Sequence, residues 1–293
     1  MHWDGWTSMD IQWYPGHMTK TKRMLITQMK LIDVVVELLD ARVPLSSKNP
    51  DIDNLAKDKR RVLVLNKSDL ADPNITAQWQ EYFIQLGFFV LPMTAVNNDK
   101  KKGGVNNLAK TLHDLMRSKT EQQKQRGRKN MTIRAMIVGI PNVGKSTFIN
   151  QLSGRSSTTV ADRPGVTRGR QWINVGNEFD LMDTPGVLWP KFEDPKVGLH
   201  LACTGAVSDN VLDKITLAEH LIAILLDVKP KALEIRYKIQ KSDSDTPSEI
   251  LNNIGTARGF KMKGGVIDLE RAATVLLDEF RGGKLGQITL ERP

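Results

Sequence analysis

The sequence predicts a doubly wound α/β domain with a mostly parallel sheet, followed by a smaller helical domain. Three observations carry this. Apolar, β-branched runs of strand length alternate with helical patterns as far as Trp189. Loops rich in Gly, Asn and Asp stand where those strands end. Beyond Trp189 helical periodicity takes over. The predicted domains are residues 9–190 and 191–293.

Each element has its own signal. Gly16 to Leu31 is amphipathic and carries Lys20, Lys22, Arg23 and Lys30. Ile32 to Leu39 is a β-branched run, read as a buried strand ending at Asp40. Arg61 to Leu65 is the second strand, Ala77 to Leu86 a helix stopped by Gly87, and Phe88 to Leu91 the third strand. Leu108 to Arg117 is a helix entering a basic segment, Arg117 to Arg134, read as a solvated linker in preference to an RNA contact. Ile133 to Val138 is the fourth strand, and Ser146 to Leu152 opens the next helix. Gln171 to Val175 and Glu178 to Met182 complete the strands of the first domain. Leu199 to Val211, Leu217 to Leu226, Lys231 to Ile239, Pro247 to Ala257 and Asp268 to Phe280 read as helices, and Gln287 to Leu290 as a short strand.

Composition narrows the function classes. The chain has 293 residues, 26% charged and 40% hydrophobic, as in ordinary soluble domains. Its one cysteine, Cys203, excludes an internal disulfide framework and fits a reducing compartment. The longest apolar run, Leu221 to Leu226, is far too short to span a bilayer. The start, Met1 to Trp6, lacks the basic-then-apolar pattern of a signal peptide, and Met9 is a candidate alternative start. A cytoplasmic protein without membrane association is the expectation. The net charge of +9 favours an acidic partner, most economically nucleic acid, although many basic proteins bind none.

Three motifs carry the chemistry. Gly139-Ile140-Pro141-Asn142-Val143-Gly144-Lys145-Ser146 matches a phosphate-binding loop between a strand and a helix. Its glycines let backbone N–H groups turn toward phosphate oxygens, Lys145 adds charge, and the Ser146 hydroxyl suits Mg2+. Pro141 to Thr147 are the predicted phosphate contacts. Asn66-Lys67-Ser68-Asp69 reads guanine: the Asp69 carboxylate can accept from the base N1–H and exocyclic amine, which adenine does not offer. Asn66 would brace the loop and reach the base edge, and the Lys67 stem would pack along it. Thr94-Ala95 follow the third strand, with the Ala95 N–H aimed at the guanine oxygen. Asp183-Thr184-Pro185-Gly186 is the third motif: Asp183 would hold magnesium through water, and the Gly186 N–H would contact the γ-phosphate. Thr167 is the candidate first-switch threonine that completes magnesium ligation, with Thr158 and Thr159 as competitors. Together they imply GTP and GDP as ligands.

The order of the motifs is rotated. In ordinary GTPases the phosphate loop lies near the domain's start and the guanine reader near its end; here the guanine reader comes first. Many signalling GTPases also place a water-orienting glutamine after the sensor glycine. Val187 and Leu188 stand there instead, and an aliphatic side chain cannot orient water.

With Trp13-Tyr14-Pro15-Gly16-His17-Met18, Asp40-Ala41-Arg42-Val43-Pro44, Arg163-Pro164-Gly165 and Leu188-Trp189-Pro190-Lys191-Phe192-Glu193, these motifs resemble the circularly permuted GTPases of ribosome biogenesis over nearly the whole chain. The resemblance implies a circularly permuted P-loop GTPase domain with a helical domain that binds rRNA. It implies a bacterial protein, monomeric off the ribosome, that binds the immature large ribosomal subunit, with its rRNA and ribosomal proteins, and hydrolyses GTP late in assembly. It implicates His17 in hydrolysis, beside Lys145, Thr167 and Gly186; alone, a histidine after Pro-Gly is a structural turn residue. It associates Asn142 with K+ beside the phosphates; the alternative is a loop-bracing side chain. Arg258 to Gly265 and Arg281 to Lys284 are candidate RNA contacts or solvated loops. Two functional classes stay open: an assembly GTPase, and a GTP-gated RNA-binding module whose hydrolysis is incidental. A regulator of other proteins fits the charge least.

Overall fold

The computed structural model describes residues 17–94, 104–125, 132–153, 171–175, 179–189, 192, 194–207, 213–242 and 244–293. Its first half contains helix α1 (His17–Met29), strand β1 (Val34–Asp40), α2 (Pro50–Leu55), β2 (Arg60–Asn66), α3 (Pro73–Gln85), β3 (Phe89–Pro92), α4 (Gly104–Gln125), β4 (Ile133–Gly139) and α5 (Lys145–Ser153). Strands β5 (Gln171–Val175) and β6 (Phe179–Asp183) follow. Then come α6 (Pro195–Cys203), α7 (Lys214–Val228), α8 (Ala232–Tyr237), α9 (Pro247–Ala257) and α10 (Leu269–Arg281).

The six strands form one sheet in the order β3-β2-β1-β4-β6-β5, parallel except for β5 at one edge. From β1 the chain steps outward through β2 to β3. It then returns through α4 and places β4 on the other side of β1. The direction of winding therefore reverses between β1 and β4, where open α/β sheets bind ligands at the strands' C-terminal ends. Asp40 is level with Asn66, and Leu38 with Gly139, so the ends of β1, β2 and β4 stand side by side.

Burial follows the period of two. Val34, Val36 and Leu38 of β1 share a core with Leu108 and Leu112 of α4 and Phe148 of α5. Val35 packs on the opposite face with Leu25 of α1 and Ile52 of α2, and Leu39 packs there with Trp79 and Phe83 of α3. All seven residues of β1 are buried, as a central parallel strand covered on both faces requires. The first core continues through Leu188 and Leu199 into α7, α9 and α10, so the helical part shares apolar packing with the sheet. Asp72, Asp194, Asp213 and Asp268 cap α3, α6, α7 and α10, and Thr246 with Glu249 forms a capping box on α9.

Several expectations need correction. Helix α4 continues to Gln125, so the first part of the expected linker is helical, with Arg117 paired to Glu121 and Lys119 to Asp33. The helix expected from Leu199 starts at Pro195 and ends at Cys203, because Asp194 and Pro195 provide the start signal. Helix α2, too short to show a periodic pattern, was not expected. Gln287 to Leu290 is no strand; it is an irregular tail, bent at Gln287 and Leu290, whose backbone bonds to loops of the sheet domain.

Leu38 is fully buried at the centre of the sheet. Leu38→Ala should cost about 3 kcal/mol through lost transfer energy and the cavity left behind, read from the urea midpoint at unchanged slope.

Candidate nucleotide-binding site

Strand β4 delivers the phosphate loop and α5 carries it away, with the Lys145 side chain buried. The Lys145 ammonium donates to the carbonyls of Gly139 (3.2 Å) and Ile140 (2.7 Å). Burial pushes its pKa down to about 8, with Lys67 pushing the same way and Asp183 opposing. The loop thus holds a poorly compensated cation where a polyphosphate would sit. Thr147 is half-buried in the first turn of α5.

The guanine-reading loop and the phosphate loop are joined directly. Asn66 is buried and its amide donates to the Val143 carbonyl at 2.7 Å. The approach is close enough that a Cβ on Gly144 would lie 2.6 Å from Asn66 Nδ2, and Gly144 has φ +98°. Lys67, itself at φ 58°, donates to the Asn142 carbonyl at 2.8 Å. Asn66 and Lys67 therefore brace one loop against the other. Asp69 lies exposed beyond them. Ser68 bonds to the Met93 carbonyl (3.1 Å) and to the Thr94 hydroxyl (3.2 Å), bringing the end of β3 to the same place. Ala95 lies outside the described residues.

Asp183 ends β6 beside Ser146. The Ser146 hydroxyl is 3.4 Å from Asp183 Oδ2, while buried Oδ1 has no hydrogen-bond partner among the described residues. Burial raises the Asp183 carboxyl, against Lys145 and the Ser146 hydroxyl. An orphaned carboxylate oxygen beside a hydroxyl fits Mg2+, which takes few protein ligands and completes its shell with water and phosphate oxygens. Gly186 packs directly on the phosphate loop, where an added Cβ would stand 2.6 Å from Pro141 Cα. Val187 is fixed by its own N–H to the Gly139 carbonyl (3.2 Å) and by Asn49, which donates to the Val187 carbonyl (3.0 Å). Val187 and Leu188 are buried in the core.

Thr167, with Thr158 and Thr159, and Arg163-Pro164-Gly165 lie outside the described residues. His17 opens α1, but its side chain is not among those described. Asn142, at φ 55°, donates from its side chain to the Gly205 carbonyl at 2.7 Å. That bond braces the phosphate loop against the end of α6.

Asp40 and Arg42 acquire a role that sequence reasoning did not assign. Arg42 donates to Asp40 from Nε (2.9 Å) and Nη2 (2.7 Å), with both side chains almost fully buried. Lys67 adds a third cationic bond to Asp40 at 3.1 Å. Burial alone would raise the Asp40 carboxyl, but Arg42 and Lys67 outweigh it and hold the group well below the usual carboxylate range. Arg42 also donates to the Arg281 carbonyl at 3.2 Å, and Arg281 donates to the carbonyls of Ala202 (2.9 Å) and Cys203 (3.1 Å). An acidic residue at the C-terminal end of a buried strand was the available signal, since ligands gather at such ends.

This sheet order, with phosphate loop, guanine loop and acidic sensor converging at the switch point, defines a P-loop GTPase whose domain is circularly permuted. Residues 134–253 match the family model described as 50S ribosome-binding GTPase. Ribosome biogenesis GTPase A of Bacillus cereus is 45% identical over 97% of this chain and 95% of its own length. The Bacillus pumilus protein of that name is 42% identical over 97% and 99%. GNP-bound YlqF from T. maritima superposes with a TM-score of 0.66 at 28% identity, covering 94% of this chain and 98% of its own. The chain belongs to the ribosome biogenesis GTPase A family.

Two predictions arise here. Gly144→Ala should abolish nucleotide binding while leaving thermal unfolding cooperative, because it forces the phosphate loop from Asn66; titration with a fluorescent GDP reads this. The Lys145 pKa lies below that of an unfolded lysine, so its burial opposes folding below pH 8 and ceases to do so above the ordinary lysine value. Phosphates favour the charged form, so GDP affinity should fall as pH rises through 8, by about tenfold between pH 7 and 9.

Proposed function

We propose that this protein is a GTPase of ribosome assembly that binds the immature large ribosomal subunit and hydrolyses GTP to GDP and phosphate late in its maturation. The observation that carries the reading is the Asn66–Val143 bond, which sets the guanine reader against the phosphate loop in a chain of this family. Large-subunit binding is supported by the description of the matched family model and by the net charge of +9. Among the described residues no helix is long and apolar enough to cross a membrane, which agrees with action in the cytoplasm on a ribosomal particle. The domain division at residue 190, the monomeric state off the ribosome and the RNA-gripping role of the helical part belong to the same proposal.

Asp69 reads the guanine edge, the Ala95 N–H and Thr94 would contribute to that reading, and Asn66 and Lys67 hold the Asp69 loop in place. The backbone from Pro141 to Thr147 and the Lys145 ammonium hold the phosphates. Gly186 admits the γ-phosphate close to its N–H. Ser146 and Asp183 would hold Mg2+, with Thr167 joining them in the GTP state; when bound, the metal neutralises phosphate charge. Asn142 has been given a bracing role by its bond to Gly205, and K+ beside it remains part of the proposal. Buried Val187 and Leu188 leave orientation of the attacking water to another group, for which His17 is the candidate.

GTP turnover with and without purified large subunits, at low and high salt, tests this. Strong stimulation that is lost at high salt is expected, because a contact made through RNA phosphates weakens steeply with salt. His17→Ala should then reduce stimulated turnover by at least about a hundredfold with GTP and subunit binding retained. Tight GTP binding without stimulation would instead favour the nucleotide-gated RNA-binding module, the reading that the aliphatic Val187 supports. Asp69→Asn should move base preference from guanine to xanthine, measured as the ratio of GDP to XDP affinity.

A further inference from the structure

The tail after α10 is bonded to the loop that carries Asp69. The Gln287 side chain donates to the Asp69 carbonyl at 3.2 Å, and the Ile288 N–H donates to the Leu70 carbonyl at 2.9 Å. The Asp72 N–H donates to the Thr289 hydroxyl at 3.1 Å. Three consecutive tail residues thus engage three peptide groups within four residues of the guanine loop. The next two residues fix the neighbouring loop: the Leu290 N–H donates to the Arg42 carbonyl at 2.8 Å, and the Glu291 carboxylate accepts from the N–H groups of Leu45 (2.8 Å) and Ser46 (3.1 Å).

The tail is held in turn by the helical part. Lys229, just past α7, donates to the Gln287 carbonyl at 2.8 Å, and His200 of α6 bonds to the Glu291 carboxylate at 2.9 Å. On the sheet side, Trp79 of α3 donates its indole N–H to the Glu291 carbonyl at 3.2 Å. Ile288, Thr289 and Leu290 are buried. An irregular segment outside helix and sheet lacks the repeating hydrogen bonds of either, so its position is dictated by these partners.

We propose that residues Gln287 to Glu291 are a positioning element for guanine recognition. They hold the Asp69 peptide at the height the base requires, and they make the grip on the base depend on the docking of the helical part. The proposal rests on Asp69 reading the guanine edge. The physical reason for a strong effect is that base discrimination by a carboxylate needs both of its bonds in register, and a small displacement of the loop loses one of them. Displacement of α6 or α7 by a bound partner would loosen the guanine loop through the same bonds and speed GDP release.

The measurement is the affinity ratio of GTP to ITP, because inosine lacks the exocyclic amine that Asp69 would read. A ratio is insensitive to the fraction of protein that is folded. Two variants serve: a chain ending at Gly286, and the milder Gln287→Ala/Thr289→Val pair, which removes the side-chain bonds of Gln287 to Asp69 and of Thr289 to Asp72 and Ala41 while keeping the apolar tail contacts. Both should lower the GTP/ITP ratio about tenfold and accelerate GDP dissociation by a similar factor. Thr289→Ser, which keeps the hydroxyl, should leave the ratio at the wild-type value. An unchanged ratio in the double variant, with Asp69→Asn still switching preference to xanthine, would overturn the proposal and leave base reading intact. Failure of Asp69→Asn to change base preference would overturn the assignment of Asp69 and this proposal with it.

Discussion

The carboxylate of Asp40 is the point on which the site's geometry depends. It stands at the end of the central strand β1, buried, and is kept ionised by Arg42 and Lys67. Each of those cations has a second task. Lys67 donates to the phosphate loop at Asn142, and Arg42 donates to the end of α10 at Arg281. One buried charge thereby orients the guanine loop, the phosphate loop and the helical part together. A buried ion pair stripped of one partner costs several kcal/mol, so this arrangement resists partial disassembly.

Permutation gives that network its consequence. The segment leaving the Asp183-Thr184-Pro185-Gly186 motif does not close the sheet domain; it continues through Val187 and Leu188 toward α6. Val187 is bonded to both the phosphate loop and Asn49, while Asn142 of the phosphate loop is bonded to Gly205 after α6. Nucleotide loops and helices therefore touch along the chain and across it. With Gly186 in its proposed role as γ-phosphate sensor, movement there would have a short route into the helices through these bonds.

The nucleotide motifs were legible because their chemistry demands fixed residue types at fixed spacing. A loop that turns N–H groups inward needs Gly144 at positive φ, and the lysine and serine must follow it at once. The strands were legible from β-branched runs, and α7 and α9 from periodicity; α3 starts at Pro73 behind its Asp72 cap, four residues before the predicted Ala77. Less was legible where long-range contacts decide. Gln287 to Leu290 has the composition of a strand, yet its backbone partners are loop carbonyls at Leu70 and Arg42, far away in sequence. Helix α2 is too short for a period, and its start depends on Asn49, whose amide is committed to Val187.

The sequence by itself determined the nucleotide class, the rotated order of motifs and the alternation that makes a doubly wound sheet, because local spacing and periodicity encode all three. Only the tertiary structure decided how the loops hold one another: Asp40 as the shared partner of Arg42 and Lys67, Asn142 braced to Gly205, and the tail laid along the guanine loop. These are contacts between segments up to 248 residues apart, as in Ala41 and Thr289. Their partners are chosen by which strand ends the sheet order brings together, and no periodicity records that choice.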